Sequence, residues 1–470
     1  MNKEKLFYKN TRIIAIGTLS SKLFTFFLLP LYTAVLLPDD FGTVDVLHTI
    51  ISLLLYFATL QLEAAVFRFI IERRDKHDSI GVCITTAFFT EAFALLVTTL
   101  VLGIIDIVYP IPHFIVFILC IWSNAFSIFM LNSARGLGDN VLYSVASFLI
   151  TLSSLIVNLV LILGIKLGAV SILIAIVVSN VLGGSVVAIS IKAWKYLSPK
   201  YYNRGILGEM LNYSLPLIPN AISWWIANVS DRLLIVFFIC AAENGVYAAA
   251  NKIPAIYTPI FNVINLAWME SISLAVINGD HKSFVSEMMN KGYRFLSFLC
   301  LGIVCCVSLF FEFIIGSNYS DSYWHIYILM IAIFVNSLCS LYGGILAAFK
   351  DSKTTGSTTV TGAIVNFIVN IVLIKVIGLY AASLSTLVSY SVILLLRSKA
   401  SKKYVDIKYN NRFSLQLLAM MVVVSIGYLF RSKMLNCAVF IVLCIWGFLN
   451  NTEIIKTIAG MILKKKGEQE

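Results

Sequence analysis

Charge is what this chain has least of. Only 13% of its 470 residues are charged, against roughly 25% in a soluble domain, whose surface must face water. That scarcity excludes an ordinary soluble protein. Catalytic signatures are missing too. There is no glycine-rich phosphate loop ending in Lys-Ser/Thr, no nucleophile elbow and no metal-type histidine pair, and the five histidines, His48, His77, His113, His281 and His325, stand far apart. No hydrophilic segment is long enough to fold as a separate domain, whereas polymerases and glycosyltransferases generally keep one for their chemistry. The nine cysteines lie mostly inside apolar runs, for example Cys120, Cys300 and Cys339. They lack paired metal spacing and read as small buried hydrophobes. No cofactor and no metal are expected.

What is present is hydrocarbon. Hydrophobic residues make up 59% of the chain, in blocks of about 20, the length that spans a bilayer core. The pattern predicts an all-α integral membrane protein with about fourteen helices. They fall near 11–37, 43–70, 79–106, 112–133, 141–165, 168–192, 212–240, 245–272, 290–315, 322–348, 357–376, 378–398, 413–430 and 434–455. The first block follows Lys3, Lys5, Lys9 and Arg12. It is too long for a signal-peptide core and no small-x-small cleavage site follows, so it reads as a retained helix.

The net charge of +11 points to membrane topology rather than to nucleic acid. With a cytoplasmic N-terminus, only Lys166, Lys375, Arg431 and Lys433 of the 35 basic residues fall in outer segments, and Lys22, Arg232 and Lys252 fall within helices. All the others are inner, including the clusters Arg68–Lys76, Lys192–Arg204, Lys282–Arg294 and Arg397–Arg412. This is the positive-inside asymmetry, and it places both termini in the cytoplasm. The basic, Tyr-rich inner connections suit anchoring beside anionic lipid headgroups.

The chain also resembles itself. Asp139, then Ile156-Val157-Asn158, Ala169 and Ser171 are matched at identical spacings by Asp351, then Ile368-Val369-Asn370, Ala381 and Ser383. Pro38-Asp39-Asp40-Phe41-Gly42 matches Ala241-Ala242-Glu243-Asn244-Gly245. Six helices separate equivalent points, so the repeat is parallel, about an axis along the membrane normal. The expectation is two six-helix lobes around a central cavity, with an N-terminal lobe over 1–200, a C-terminal lobe over 201–400, and two additional helices with a tail over 401–470.

A charge at bilayer depth costs at least about 2.5–3.5 kcal/mol, so such residues face a cavity or a partner. Lys22, Glu91, Asp231, Arg232 and Lys252 lie within helices, and Glu63 and Arg68 lie nearer the cytoplasmic end of the second. Cations here would suit an anionic ligand such as a diphosphate, to which Arg donates bidentately. The alternative is internal pairing, of Arg232 with Glu243 or Asp231 and of Lys252 with Glu91. Trp224 and Trp225 are placed to stack on sugar, although Trp also collects at membrane interfaces for amphipathic reasons. Pro216, Pro219, Pro254 and Pro259 permit kinks in the seventh and eighth helices.

Those two helices carry Asp231-Arg232-Leu233-Leu234-Ile235, Gly245-Val246-Tyr247 and Ala250-Asn251-Lys252-Ile253. This pattern is similar to the Asp-Arg-x-x-Ile, Gly-x-Tyr and Ala-x-Lys motifs of polysaccharide biosynthesis flippases, the Wzx-like O-antigen translocases. Ser20, Pro30, Leu31 and the Asp40-Phe41-Gly42 turn look like theirs as well. The resemblance implies the fold of the multidrug/oligosaccharidyl-lipid/polysaccharide (MATE/MOP-like) exporter superfamily. It implies flipping of undecaprenyl-diphosphate-linked repeat units across the bacterial inner membrane for O-antigen or capsule synthesis. The implied partners are that glycan lipid, membrane lipids, a proton or sodium ion as coupling ion, and a polymerase and chain-length regulator of the same pathway. Asp231, Arg232, Tyr247 and Lys252 are the site residues carried over by match, with lobe structure as the alternative role of the Asp-Arg pair. Two other readings stay open: an ion-coupled multidrug/cation antiporter, which would want more carboxylates than cations at depth, and an O-antigen polymerase, which would want a larger outer loop.

Overall fold

Hydrocarbon offers no partner to a backbone amide, so a chain of apolar blocks can cross a bilayer only if each block satisfies its own hydrogen bonds. The computed structural model describes residues 28–73, 77–278 and 281–452, and all their regular structure is helical. Twelve helices among the described residues have the length and composition to cross a membrane. This is a multi-pass membrane protein.

The chain forms two compact units, Met1–Ala248 and Ala249–Glu470. The first contains α1 (Pro38–Ala58), α2 (Leu62–Glu72), α3 (His77–Val108), α4 (Phe114–Leu137), α5 (Asn140–Leu159), α6 (Val170–Ser190), α7 (Arg204–Ser214), α8 (Leu217–Phe238) and the first part of α9 (Ala241–Lys252). The second continues with α10 (Pro254–Asn278), α11 (His281–Ile314), α12 (Ser322–Ala348), α13 (Ser352–Ile377), α14 (Tyr380–Ser401), α15 (Asn411–Phe430) and α16 (Lys433–Asn450). The division falls inside α9, and α8 packs against α1. The seventh expected span is present as the 22-residue α8. The first lies mostly outside the described residues.

Two expected spans are broken. The second splits into α1 and α2 at residues 59–61, where Leu60 and Gln61 take left-handed φ of 52° and 54°. Neither is the glycine that such a conformation favours. Thr59 mends the gap: its hydroxyl donates to the Leu55 carbonyl at 2.9 Å and accepts from the Gln61 amide at 3.2 Å. The eighth splits into α9 and α10 at Ile253, followed by Pro254, whose missing amide suits the first turn of a new helix.

The sequence repeat has a local structural counterpart in each unit. Gly138 (φ 96°) and Lys350 (φ 60°) end α4 and α12 in left-handed geometry. The next residue then caps the following helix: Asp139 accepts from the Leu142 amide at 2.8 Å, and Asp351 from the Thr354 amide at 3.2 Å. Such side-chain caps satisfy amides that the helix itself leaves open. Asn158 and Asn370, and likewise Ser171 and Ser383, are buried. α6 packs on α4 and α5 as α14 packs on α12 and α13.

Arg397 illustrates how charge is accommodated. Sequence places it at the start of a basic inner segment, but it lies on α14 and is only 7% exposed. Its guanidinium donates to Thr358 Oγ1 (3.1 Å), the Cys339 carbonyl (3.0 Å) and Thr359 Oγ1 (2.9 Å), tying α12, α13 and α14 together. Gly343 leaves the room, since a Cβ there would sit 2.9 Å from Arg397 Nη1. We expect Arg397→Met to lower stability by about 1.5–3 kcal/mol, the usual cost of losing hydrogen bonds to a charged group. Thermal unfolding of the detergent-solubilised protein measures it.

Candidate functional site

Gly42, Asp45, Thr49 and Ser52 recur at helical spacing, so they share one face of α1. Across that face lie α8 and the start of α9. The backbones meet where both helices have glycine. A Cβ on Gly42 would overlap the Ala241 carbonyl oxygen, and one on Gly245 would overlap that of Pro38. The two segments that resemble each other in sequence are thus in direct contact.

Polar groups line the rest of the seam. Asn244 donates to the Gly42 carbonyl (3.0 Å) and to Asp45 Oδ2 (3.3 Å). Arg232 pairs with Asp45 Oδ1 at 3.3 Å and reaches Thr49 Oγ1 at 3.4 Å. Trp225 donates to Ser52 Oγ at 2.9 Å. Asp45 is 8% exposed and Arg232 22%, so the pair is held away from water, where its attraction is less screened. Arg232 therefore pairs with Asp45, a residue far away in sequence. Consecutive residues on a helix do not face each other, and Asp231 turns instead to accept from the Tyr247 hydroxyl at 3.1 Å.

A second polar locus sits at the break between α1 and α2. Glu63 opens α2, Glu91 lies mid-way along α3, and these helices pack together among Leu62, Val66, Ile84 and Ala87. Glu91 is 4% exposed. Oε2 of each glutamate is buried without a hydrogen-bond partner, and neither forms an ion pair among the described residues. Each of these carboxylates can take up a proton, since neither can stay bare and ionised in an apolar setting. Among the described residues no group of three or more His, Cys, Asp or Glu is arranged to hold a metal ion.

The remaining sequence candidates do not gather at one point. Arg68 is half exposed and pairs with Glu72 one turn on, at 2.8 Å. Lys252 is half-buried at the end of α9. Trp224 lies on α8, but its side chain, like all of Lys22, falls outside the described residues. Asp45 and Asn244 are the residues that sequence reading passed over. Their signal was the helical spacing from Gly42 to Ser52, and the place of Asn244 in the duplicated segment.

Twelve apolar spans among the described residues, two of them broken, with a hydrogen-bonded polar seam at depth, define a class, the polytopic helical membrane proteins. The family can be stated more closely. The model of the polysaccharide biosynthesis protein family matches residues 7–269, more than half of the chain, and the chain belongs to that family. Among solved structures it is similar to the lipid II flippase MurJ in an inward closed conformation. The TM-score is 0.72 at 13% identity, over 93% of this chain and 99% of that one. It is similar to a MATE-family multidrug resistance transporter of the MOP superfamily, inward-facing, with TM-score 0.67 at 15% identity over 83% and 99% of the two chains. A third likeness is to a point mutant of the Vibrio cholerae MATE transporter VcmN, with TM-score 0.55 at 15% identity over 85% and 97%. At these identities the likeness is one of fold. No curated protein matches the sequence significantly.

Two outcomes follow for the seam. Gly42→Ala forces the α1 and α9 backbones apart and should cost about 1–3 kcal/mol, as overpacking does; an unchanged melting temperature in detergent would contradict the close crossing. A double-mutant cycle with Asp45→Asn and Arg232→Gln should give a coupling energy of about 0.5–3 kcal/mol. Strict additivity would mean that the two side chains do not interact.

Proposed function

We propose that this protein flips undecaprenyl-diphosphate-linked oligosaccharide repeat units from the cytoplasmic to the periplasmic leaflet of the bacterial inner membrane, for O-antigen or capsular polysaccharide synthesis, with both termini in the cytoplasm. The observation that carries this reading is membership in the polysaccharide biosynthesis family on a fold shared with a lipid II flippase. The absence of catalytic signatures from the sequence supports a transporter rather than an enzyme.

In this reading the cargo's negatively charged headgroup crosses beside polar side chains while its lipid tail stays in the bilayer. Lys22, Arg68, Arg232 and Lys252 are assigned to the diphosphate, with Trp224 and Tyr247 beside the sugar. Arg232 already holds Asp45, so it meets an anion only by exchanging one acidic partner for another. Asp231, bound to Tyr247, orients that ring. Glu63 and Glu91 supply the coupling step: protons or sodium ions bind the carboxylate pair, and the gradient drives the cycle. The polymerase and chain-length regulator of the same pathway would take up the product.

The carboxylate pair also favours a second reading, an ion-coupled antiporter of cationic drugs. One system separates the two. In proteoliposomes, the protein should move a fluorescent lipid-linked oligosaccharide out of reach of a membrane-impermeant quencher. Protein that moves only cationic dyes would reject the flippase. In cells, Arg232→Ala and Lys252→Ala should abolish surface glycan while the protein remains in the membrane, and Glu91→Gln should slow flipping and flatten its dependence on the ion gradient. Normal glycan in both cation mutants would reject their assignment.

A further inference from the structure

The last two helices lie outside the sequence repeat, and they enclose a site with a chemistry of its own. α15 and α16 both pack on α11. Gly447 permits the approach, because a Cβ there would overlap the Phe298 ring. The linker before α15 is tied to α11 through Asn290, which donates to the Lys408 carbonyl at 2.9 Å and accepts from the Asn410 amide at 3.1 Å. Between these elements is a cavity of about 430 Å³, lined by Lys291, Arg294, Arg412, Gln416, Trp446 and Asn450, among others.

The lining is rich in donors. No carboxylate lines it among the described residues. Lys291 is engaged with Glu287 at 2.6 Å, but neither Arg294 nor Arg412 has an acidic partner within 4 Å among the described residues. Arg294 Nε and Trp446 Nε1 are both buried without a hydrogen-bond acceptor. The two groups are held in place: Phe413 stacks on Trp446 at 5.4 Å and lies 5.7 Å from the Arg294 guanidinium. Among the lining residues, Arg294 and Trp446 thus carry an unsatisfied donor each and Asn451 carries an unsatisfied acceptor oxygen. The two guanidiniums without an acidic partner and the lack of any lining carboxylate among the described residues favour a compact anion with several acceptor oxygens. Phosphate fits, since Arg presents a fork of donors matched to it.

The surroundings say that this phosphate carries a hydrocarbon chain. Leu449 is part of the lining and is 67% exposed, and Ile445 and Phe448 continue an exposed apolar face along α16. The basic residues of the cavity belong to the segments that the charge count assigns to the cytoplasm, where anionic headgroups attract Lys and Arg. We propose that this cavity binds the phosphate-bearing headgroup of a membrane lipid, whose chain lies along α16. Two lipids share that chemistry, an anionic glycerophospholipid and a polyprenyl diphosphate. The site is remote in sequence from Asp45, Glu63, Glu91 and Arg232, and the inference does not rest on the transport reading.

Native mass spectrometry of the full-length detergent-solubilised protein tests it, with phosphatidylglycerol, undecaprenyl diphosphate, diacylglycerol and inorganic diphosphate as separate probes. At least one of the two phosphate-bearing lipids should bind, and which one does identifies the source. Arg294→Gln and Trp446→Phe should each weaken that binding by about tenfold, the usual effect of losing one strong hydrogen bond. Trp446→Phe keeps an aromatic ring on Phe413 and removes the donor, so its melting temperature should match that of the parent and separate lost binding from lost fold. Equal binding of diacylglycerol, unchanged binding by both variants, or binding of inorganic diphosphate with neither phosphate-bearing lipid would overturn the proposal.

Discussion

A polar group inside a bilayer has no water to fall back on, and most of this architecture follows from that one constraint. Leaving a hydrogen-bonding group bare costs far more than making the bond gains, so polar atoms at depth must find partners within the chain. Arg397 does so most completely, with three strong acceptors drawn from two other helices. Trp268 follows the same rule, donating to the Leu341 carbonyl at 2.9 Å. Serine and threonine hydroxyls throughout the helices bond back to carbonyls one turn earlier, as Ser133 does to Phe129. Where helices must come close enough for such bonds, glycine supplies the space, since a missing side chain lets backbones approach. Gly42 and Gly245 do this for α1 and α9, and Gly343 does it for Arg397.

Against that background the unsatisfied atoms stand out; most are single Ser or Asn oxygens dispersed through the helices, such as those of Ser127, Asn158 and Ser322, and fewer belong to charged or indole groups. Glu63, just after the break in the second span, and Glu91, on the neighbouring α3, leave an oxygen each unpaired. Arg294 and Trp446, which line one cavity, leave a nitrogen each unpaired. In the first case the orphaned atoms are acceptors, which suits a proton or a cation. In the second they are two donors and one acceptor, the Asn451 Oδ1, and it is the guanidiniums of Arg294 and Arg412, with no carboxylate in the lining among the described residues, that suit an anion. An isolated orphan can be a local imperfection of packing, and it points to a ligand only where charge and a cavity accompany it.

Helix placement was largely legible in sequence because hydrocarbon thickness imposes a length. The span expected at 322–348 is α12 with the same limits, and those expected at 168–192 and 413–430 end within about two residues of α6 and α15. What sequence did not reveal is where a span breaks or what a charge touches. The break at Leu60 and Gln61 involves neither glycine nor proline, so no local propensity announces it; packing holds those two residues in a conformation that they would not choose alone. Arg397 reads as one more member of a basic inner segment, since burial depends on which helices surround it. Arg232 was recognisable as a charge needing a partner, but its partner Asp45 lies across the seam between α1 and α8. The likeness of Pro38–Gly42 to Ala241–Gly245 was legible in sequence, and only three dimensions show that these two segments touch.

These contacts are not equally permanent. The α12–α13–α14 cluster closes around a buried guanidinium, and pulling it apart would strand a charge in hydrocarbon. The α1 seam is different, built from an amide, a carboxylate, a hydroxyl and an indole donor, each making one or two bonds of ordinary length. Water can replace such partners nearly one for one, so the net cost of separating them is small wherever water is admitted. In a dry bilayer the seam is firm, and beside a hydrated pathway it is weak. That asymmetry makes the seam conditional: the same polar stripe that lets α1 pack on α8 in the absence of water lets it leave where water is admitted.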